Sequence, residues 1–186
     1  GINPDASGLY ELPASGENAA PVGQNIREFL NLDDTVYTIK LTPNRADCLS
    51  VRGVARDVCA LVGGANAVPL TPLVVKPVAS NADISLPIKI DAPVACGRLT
   101  GRVIKNLNAS APTPLWMVQR LERAGHRSIS ALVDITNYVM LTLGQPMHVY
   151  DLDTITGTLT ARMARVDNGV GESVKLLNEQ THELQD

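Results

Sequence analysis

Aromatic side chains are scarce in this sequence: they make up 3% of its 186 residues, with one tryptophan and one phenylalanine. Proteins that hold single-stranded nucleic acid by stacking expose several aromatic rings. The composition therefore argues against a stacking platform of that kind. Apolar residues make up 45% of the chain, which is ordinary for a globular protein and sufficient for a core.

Long apolar runs are also missing. No stretch reaches the roughly twenty consecutive apolar residues that a membrane-spanning helix needs, so we expect no membrane partner. The first residues, GINPDASGLYELP, show no basic leader and no apolar segment of a signal peptide, and they do not begin with methionine. We interpret the sequence as a piece of a longer protein.

Cysteine is rare, and its spacing predicts no disulfide. Cys48 and Cys59 fall on one predicted helix, too far apart to be bridged, and Cys96 has no obvious mate. Three reduced thiols are typical of a cytoplasmic protein, which is the location we predict.

Familiar motifs for nucleotide binding and covalent catalysis are absent. The sequence has no GxGxxG, GxxxxGKS or GxxxxGKT loop, no GxSxG elbow and no CxxC pair spaced for zinc. The segment HVYDLD brings His148, Asp151 and Asp153 together, which leaves open a metal site or an ordinary turn with loop carboxylates. We predict no bound metal or cofactor, and no serine or cysteine nucleophile.

Basic residues are concentrated in one block. The net charge is −3, yet residues 97–130 carry six basic side chains and one acidic side chain. Such a surface attracts a polyanion, although a solvated basic surface is an equally open interpretation. The candidate contacts in this block are Arg98, Arg102, Lys105, Arg120 and Arg123.

Apolar residues recur at helical spacing in four segments, which predict helices at 24–30, 47–62, 114–124 and 131–143. The second helix has an apolar face that contains Val51, Val58 and Val62. The third helix is predicted to bury Met117, Val118 and Leu121 and to point Arg120 and Arg123 outward. The predicted N-caps of the last three helices are Asp47, Thr113 and Ser130.

Alternating apolar and polar residues predict strands between and after these helices. Pro87 limits the second of them to an edge or bulged strand. The predicted strands are 35–41, 84–90, 97–105, 158–164 and 173–177, followed by a turn at 178–180 and the beginning of another strand.

The stretch from Asp134 to Asp153 is the candidate site. Its helix ends at Gly144, and Pro146 prevents a restart. Thr136 lies about two turns, roughly 10 Å, before the helix end, and four further residues let His148 reach back about 13 Å. Both side chains are therefore placed to face one small-molecule pocket. The alternative is that Thr136 bonds the carbonyl one turn back and His148 only locks its loop.

Three stretches resemble one family, the β subunit of bacterial phenylalanyl-tRNA synthetase. They are TPNRADCLSVRGVARDVCAL, CGRLTGRVI and APTPLWMVQRLERAGHRSISALVDITNYVMLTLGQPMHVYDLD. The resemblance extends from about residue 8 to the C-terminus, and NYVM followed by LGQPMH is a highly specific part of it.

This resemblance implies a modular fragment of a larger enzyme and the α+β fold class. Residues 1–20 would be the tail of an OB-type tRNA-binding module, 21–75 a small structural α/β module, 76–82 a linker, and 83–186 the first part of a mixed helix and antiparallel-sheet editing module. The implied partners are phenylalanine tRNA and the α subunit of an (αβ)₂ heterotetramer. ATP- and Mg²⁺-dependent aminoacylation would belong to the other subunit.

The resemblance also implies roles for particular residues. Thr136 and His148 match family residues that line the editing pocket, and Pro146 lies in the same wall. They would hold the amino acid and the 3′-terminal adenosine so that water attacks the ester of tyrosine wrongly attached to phenylalanine tRNA. The basic block would contact the tRNA.

The pocket of the resembling proteins is not complete within this sequence. Their glutamate for the tyrosine hydroxyl lies beyond their counterpart of Asp186, so we expect the domain to continue and the isolated chain to be inactive. A non-catalytic module that binds tRNA or the partner subunit is the alternative.

Overall fold

Four α-helices and six short strands form the regular structure of the described part of the chain. In this computed structural model the described residues are 8–16, 18–63, 69–81, 83–167, 170–176 and 178–184. The helices are α1 (Ile26–Phe29), α2 (Val51–Gly63), α3 (Leu115–Arg123) and α4 (Ala131–Leu143). The strands are β1 (Ile88–Ile90), β2 (Leu159–Ala161), β3 (Val166–Asp167), β4 (Val170–Gly171), β5 (Ser173–Lys175) and β6 (Thr181–Glu183).

These elements fall into two compact units. Residues 1–76 and 108–149 form one, here called the helical unit, and residues 77–107 and 150–186 form the other, the strand unit. The α+β class predicted from the sequence is confirmed. The module boundaries that the resemblance implied stay a prediction, and residues 1–7 and 17 of the first of those modules lie outside the described residues. No helix in the described ranges is long and apolar enough to cross a membrane.

The two ends of α4 lie where the sequence predicts them. The Ser130 side chain accepts a hydrogen bond from the Val133 N–H, at 3.5 Å, and so caps the first turn. Gly144 ends the helix with a left-handed backbone, φ +78°, and its N–H donates to the Met140 carbonyl at 2.8 Å. A glycine adopts this conformation without steric cost, which explains why the helix stops there.

Two of the three predicted N-caps are wrong. α2 begins at Val51 rather than near Asp47, because Arg45 forms an ion pair with the Asp47 side chain at 3.1 Å, and the Ser50 hydroxyl caps Gly53 instead. Thr113 does not cap α3. Its hydroxyl donates across to Asp134, so α3 begins after Pro114 without a side-chain cap.

The apolar face predicted for α2 is exposed rather than buried at Val51, Val58 and Val62. Helical periodicity identifies a stripe but not whether another element covers it. The most buried position of α2 is Gly53, which lies against the Asp47 backbone.

The core of the chain lies in the helical unit. Among the described residues, each side chain that is buried almost completely belongs to this unit, and α3 contributes two of them, Met117 and Leu121. The predicted burial of these two is confirmed, whereas Val118, which was predicted with them, is only half-buried. The other apolar core residues are Leu30 and Cys48. Cys48, Cys59 and Cys96 are all free thiols, as predicted.

The strand unit consists of three two-stranded sheets. β1 pairs with β2 in parallel, with Ile88 opposite Leu159, while β3 with β4 and β5 with β6 form antiparallel pairs. The first strand begins at Ile88 because Pro87 has no N–H to donate, although its carbonyl accepts from Leu159 at 3.0 Å. The predicted strands at 158–164 and 173–177 and the strand after the turn are confirmed in shorter form; residue 177 lies outside the described residues.

Two predicted strands do not form. Residues 35–41 form no strand in the described structure, and their apolar side chains Val36, Tyr37 and Ile39 are exposed. Residues 97–105 are also irregular. They contain Gly97 and Gly101, which weaken a strand, and β1 takes β2 as its partner instead. Alternating apolar and polar residues predict a local preference for a strand, but a strand forms only where a second strand pairs with it.

Glu172 joins separate parts of the strand unit. Its carboxylate accepts hydrogen bonds from both Arg162 Nη atoms, at 2.6 and 2.8 Å, and from the Arg165 N–H at 2.8 Å. The bonds from Arg162 and then Arg165 lower the pKa of Glu172 to about 2. The Glu172 carbonyl also accepts from the Leu184 N–H at 2.7 Å, so one residue ties β2, the β3–β4 hairpin and the end of β6 together.

Gly53 gives a steric prediction for the helical unit. A Cβ atom at this position would lie 1.9 Å from the Asp47 carbonyl oxygen, which is backbone and cannot rotate away. Alanine is favoured over glycine in a helix by about 1 kcal/mol, but overpacking costs about 1 to 3 kcal/mol. Because the clash is with backbone, the upper end of this cost applies, and we expect Gly53→Ala to lower the free energy of unfolding by about 2 kcal/mol net, measured by urea denaturation.

Gly8→Ala is the matched control, because a Cβ there meets no atom within 4 Å. We expect it to change stability by less than about 0.5 kcal/mol. A Gly53→Ala protein as stable as the original would contradict the packing described here.

Glu172 gives a pH prediction for the strand unit. The unfolded-state pKa of glutamate is about 4.3, and the folded value is lower, so the unfolded state binds more protons between these values. Stability from this group is complete above about pH 4.3 and is lost as the pH falls toward 2.

Glu172→Gln should remove this dependence, measured by amide exchange of the Glu172 N–H between pH 2 and 6. Glu179→Gln, which removes an exposed pair with Lys175, is the control; equal effects of the two changes would refute the assignment.

Candidate functional site

Asp134 fixes the beginning of the candidate site. Its carboxylate has 0% solvent exposure in the first turn of α4. It accepts hydrogen bonds from the hydroxyls of Thr113, at 2.5 Å, and Ser128, at 2.6 Å, and from the Ile129 N–H at 3.0 Å. A buried carboxylate is tolerated only when such donors surround it. The network therefore joins the segment before α3 to the beginning of α4.

The donors also decide the charge state of Asp134. Burial is the largest single effect and raises the pKa of the carboxyl. Hydrogen bonds together lower the pKa by more than burial raises it; they come from the hydroxyls of Ser128 and Thr113 and from the N–H groups of Ile129 and Ser130. The pKa of Asp134 lies below its ordinary value as a result. The side chain is therefore a structural anion at neutral pH and not a proton donor.

Thr136 lies half a turn after Asp134 and is 9% exposed. Its hydroxyl donates to the Val133 carbonyl at 2.7 Å. This is the local bond that the sequence left open as the alternative for Thr136. Because a hydroxyl oxygen has two lone pairs, Thr136 can still accept a hydrogen bond from another group, but its single proton is already used.

The loop after α4 carries the other two predicted pocket residues, Pro146 and His148, and both are exposed. The glycine that begins this loop is close to α2: a Cβ at Gly144 would lie 3.1 Å from the Ser50 hydroxyl oxygen. The end of α4 therefore contacts the beginning of α2. Thr136, Pro146 and His148 all belong to the helical unit, and the pocket shared by Thr136 and His148 stays a prediction.

A cavity of about 420 Å³ lies at the beginnings of α3 and α4. Four hydroxyl side chains and several small apolar residues line it, but Thr136 and His148 do not. The protons of Thr113 and Ser128 point to Asp134, so these two hydroxyls offer only acceptors to the cavity. Its hydroxyl residues are Ser110, Thr113, Ser128 and Ser130.

Sequence reasoning missed the Asp134 network. A charged residue inside the apolar stretch ALVDITNYV was a usable signal, because a buried acid needs partners. Its main partner Thr113 lies 21 positions away, and no periodicity links the two.

The predicted basic contacts differ in their surroundings. Arg123 is 24% exposed, and its guanidinium binds Asp34 at 2.9 Å and the carbonyls of Leu30 and Asn31. The prediction that it points outward is wrong, because it holds the segment after α1 against α3. In the strand unit Arg102 donates to the Val78 carbonyl at 3.0 Å.

Arg98 and Lys105 in the strand unit are exposed, as is Arg120 in the helical unit. Arg120 lies in a cluster with two of the few aromatic rings. Its Nη1 donates to the Tyr138 hydroxyl at 2.7 Å, and its guanidinium carbon lies 5.2 Å from the Trp116 ring centre. The Trp116 and Tyr138 rings meet edge to face, with centres 5.3 Å apart and planes at 83°.

The acidic residues of HVYDLD form a turn. Asp151 accepts a hydrogen bond from the Asp153 N–H at 3.1 Å and caps the 3-10 turn Leu152–Thr154. In the described ranges, no group of three or more His, Cys, Asp or Glu side chains could hold a metal ion. The ordinary-turn interpretation of this segment is therefore the one that the contacts support.

Comparison with known proteins gives one family match and many close relatives. Residues 95–186 match the family model described as the B3/4 domain. The chain is 55% identical over 185 residues to the phenylalanine-tRNA ligase beta subunit of Chromobacterium violaceum, covering 100% of the chain and 22% of that protein. The beta subunit of Cupriavidus pinatubonensis is 57% identical over 183 residues, or 98% of the chain and 21% of that protein.

The beta subunit of Bordetella pertussis is also similar, with 56% identity over 180 residues. That alignment covers 97% of the chain and 21% of the relative. The chain thus spans about one fifth of the length of the curated relatives that it matches.

Asp134 gives a stability prediction. Asp134→Asn keeps the shape of the side chain but replaces one carboxylate oxygen with an NH₂ group, which cannot accept the hydrogen bonds that this oxygen accepts. Because hydrogen bonds to a buried charge contribute about 1.5 to 3 kcal/mol, we expect the free energy of unfolding at pH 7 to fall by about 3 kcal/mol. The depressed pKa also means that stability from Asp134 is complete above about pH 3.9 and is lost as the pH falls below it.

Denaturant unfolding from pH 2 to 7 measures both effects. Asp33→Asn is the control, since Asp33 forms an exposed pair with Arg27, and we expect a loss below about 1 kcal/mol. If Asp134→Asn costs no more than this control, or keeps the same acid dependence as the original, the network is not the anchor of α4.

Proposed function

Because this chain belongs along its whole length to the family of phenylalanine-tRNA ligase beta subunits, we propose that it is part of the proofreading module of such a ligase. The module would hydrolyse tyrosine wrongly attached to phenylalanine tRNA. The observation that carries the proposal is the match of at least 55% identity over nearly the whole chain, together with the B3/4 domain at residues 95–186. The module boundaries given by the resemblance, with editing residues from 83 onward, belong to the same proposal.

The proposed reaction is the hydrolysis of an ester. Water attacks the carbonyl carbon of the aminoacyl group, a carbon–oxygen bond to water forms, and the bond to the ribose oxygen breaks. The proton released by water ends on the ribose hydroxyl, which leaves free tyrosine and intact tRNA. This route needs no side-chain nucleophile, in agreement with the sequence.

Thr136 and His148 are the proposed positioning residues. The Thr136 proton is used in the bond to the Val133 carbonyl, so its oxygen acts as an acceptor toward the substrate. The His148 imidazole can both donate and accept a hydrogen bond, which suits it to orient water or the terminal ribose. Pro146 would keep the loop between them rigid, because its ring fixes one backbone angle.

The proposal includes selectivity between tyrosine and phenylalanine, which differ by one hydroxyl. A site that hydrogen-bonds this hydroxyl rejects the substrate that lacks it by about 10⁴-fold or more. The resemblance attributes this contact to a glutamate beyond the counterpart of Asp186. Activity is therefore proposed for the complete subunit.

The partners proposed are phenylalanine tRNA and the alpha subunit, in an (αβ)₂ assembly in the cytoplasm. ATP and Mg²⁺ would serve aminoacylation in the complete enzyme. The donor groups of the described residues do not suit a metal ion, so no step of the proposed hydrolysis uses one.

A second candidate is a non-catalytic module that binds tRNA or the partner subunit. The observation in its favour is the Thr136 hydroxyl, whose internal bond also suits a purely structural role. In that case, neutralising Arg98, Arg102 and Arg120 would weaken tRNA binding and flatten its salt dependence, while changes at His148 would have no effect.

Deacylation of tyrosyl-tRNA by the complete ligase distinguishes the two candidates. We expect His148→Ala and Thr136→Val each to lower the rate by about tenfold or more, because small losses of positioning cost this much. Thr136→Val keeps the side-chain shape and removes only the hydroxyl.

His182→Ala, at an exposed histidine in β6, and Thr142→Val, on the same helix as Thr136, are the controls and should keep the rate within about twofold. Thermal unfolding checks that all four variants remain folded. Full deacylation rates in folded His148→Ala and Thr136→Val would leave only the non-catalytic candidate.

A further inference from the structure

The chain has one tryptophan, and the structure holds it beside a cation. Trp116, Arg120 and Tyr138 are here called the Trp116 cluster. Trp116 is 48% exposed although its ring packs edge to face against Tyr138. The Arg120 guanidinium lies within cation–π distance of both rings, 5.2 Å from the centre of Trp116 and 6.0 Å from that of Tyr138. A large ring is thus fixed in orientation and still open to solvent.

The charge of the cluster is not neutralised. In the described ranges no carboxylate lies within ion-pair distance of Arg120, whereas Arg123, one turn along α3, is paired with Asp34. One N–H of Arg120 donates to the Tyr138 hydroxyl, which holds the guanidinium in place. A guanidinium has five N–H donors, so others remain for an anion.

We propose that the Trp116 cluster binds an unpaired RNA base, which stacks on the cluster while the Arg120 guanidinium contacts the adjoining phosphate. Single-stranded RNA is recognised by aromatic rings and by guanidinium planes, and the neighbouring phosphate supplies the anion that Arg120 lacks. Because Arg120 carries a positive charge that no carboxylate of the described residues neutralises, the cluster favours a polyanion such as RNA over an apolar protein surface. This inference rests on the RNA partner of the proposed function but not on proofreading.

The low aromatic content had argued against stacking on a platform of several rings. Low aromatic content and base stacking are compatible in this structure, because it brings two of the few rings together beside one cation.

Trp116 fluorescence tests the proposal directly, since no other tryptophan contributes. The 186-residue chain is titrated with hexa-adenylate RNA at low salt, and with a duplex RNA whose bases are all paired. Stacking on Trp116 should quench its fluorescence with the single strand and not with the duplex. Arg120→Gln should weaken binding of the single strand by about tenfold, because it removes the charged hydrogen bond to the phosphate.

Arg127→Gln is the matched control, because it removes the same charge from an exposed position next to α3. We expect less than about a twofold change there. Tyr138→Phe keeps both rings and removes only the acceptor of the Arg120 bond, so it should weaken binding by about threefold even if Arg120→Gln disturbs the packing.

The proposal is overturned by an absence of quenching, by equal losses in Arg120→Gln and Arg127→Gln, or by a change in Trp116 emission that follows only protein self-association. No aminoacyl ester is present in this experiment. Its failure would therefore leave the proofreading proposal standing, and failure of the deacylation test would leave this one standing.

Discussion

The helical unit depends on one buried carboxylate. Asp134 takes its hydrogen bonds from Thr113 before α3, and from Ser128 and Ile129 between α3 and α4. Removing a carboxylate from water is expensive, and it is compensated only if the donors stand in one arrangement. The acid therefore specifies the geometry of the α3–α4 pair as well as stabilising it. Everything carried by α4, including Thr136 and the loop with His148, inherits that geometry.

The same helix is constrained at its other end. Gly144 ends α4 with a left-handed backbone and leaves room for Ser50, whose hydroxyl caps α2. The N-cap of α2 and the C-cap of α4 thus meet, and the loop with Pro146 and His148 leaves from this contact. A change at Gly53 or Ser50 would reach that loop through packing, without any contact with substrate. The contacts of α4 at both ends are what a positioning role for its side chains requires.

The helix ends at Gly144 and Ser130 could be read from the sequence because each depends on a residue's own backbone preference or side-chain reach. The burial of Met117 and Leu121 followed from helical periodicity for the same reason, whereas the α+β class followed from the family resemblance. The predictions that were wrong concerned residues whose structure depends on a contact with a segment distant in sequence. In the described part of the chain, the segment predicted as a strand at 35–41 pairs with no other strand. Arg123 turns inward to bind Asp34, which lies 89 positions earlier in the sequence and could not be identified as its partner. The Asp134 network failed to be predicted for the same reason, since its donor Thr113 is distant in sequence.

The basic block shows how structure divides residues that look equivalent in sequence. Arg123 is used in internal bonds, Arg102 gives one donor to a backbone carbonyl, and Arg120 has no carboxylate partner among the residues that the structure describes. Charge counting alone could not separate them. Tertiary contacts therefore decide which of these cations are used inside the protein and which are not.

The central claim is that α4 and its following loop present Thr136 and His148 to one aminoacyl ester. The most direct measurement is a crystal structure of the complete beta subunit with a non-hydrolysable 3′-tyrosyl-adenosine analogue. The account predicts both side chains within about 4 Å of the bound aminoacyl group. An analogue bound elsewhere, for example in the hydroxyl-lined cavity beside Thr113 and Ser128, with Thr136 and His148 out of reach, would contradict it.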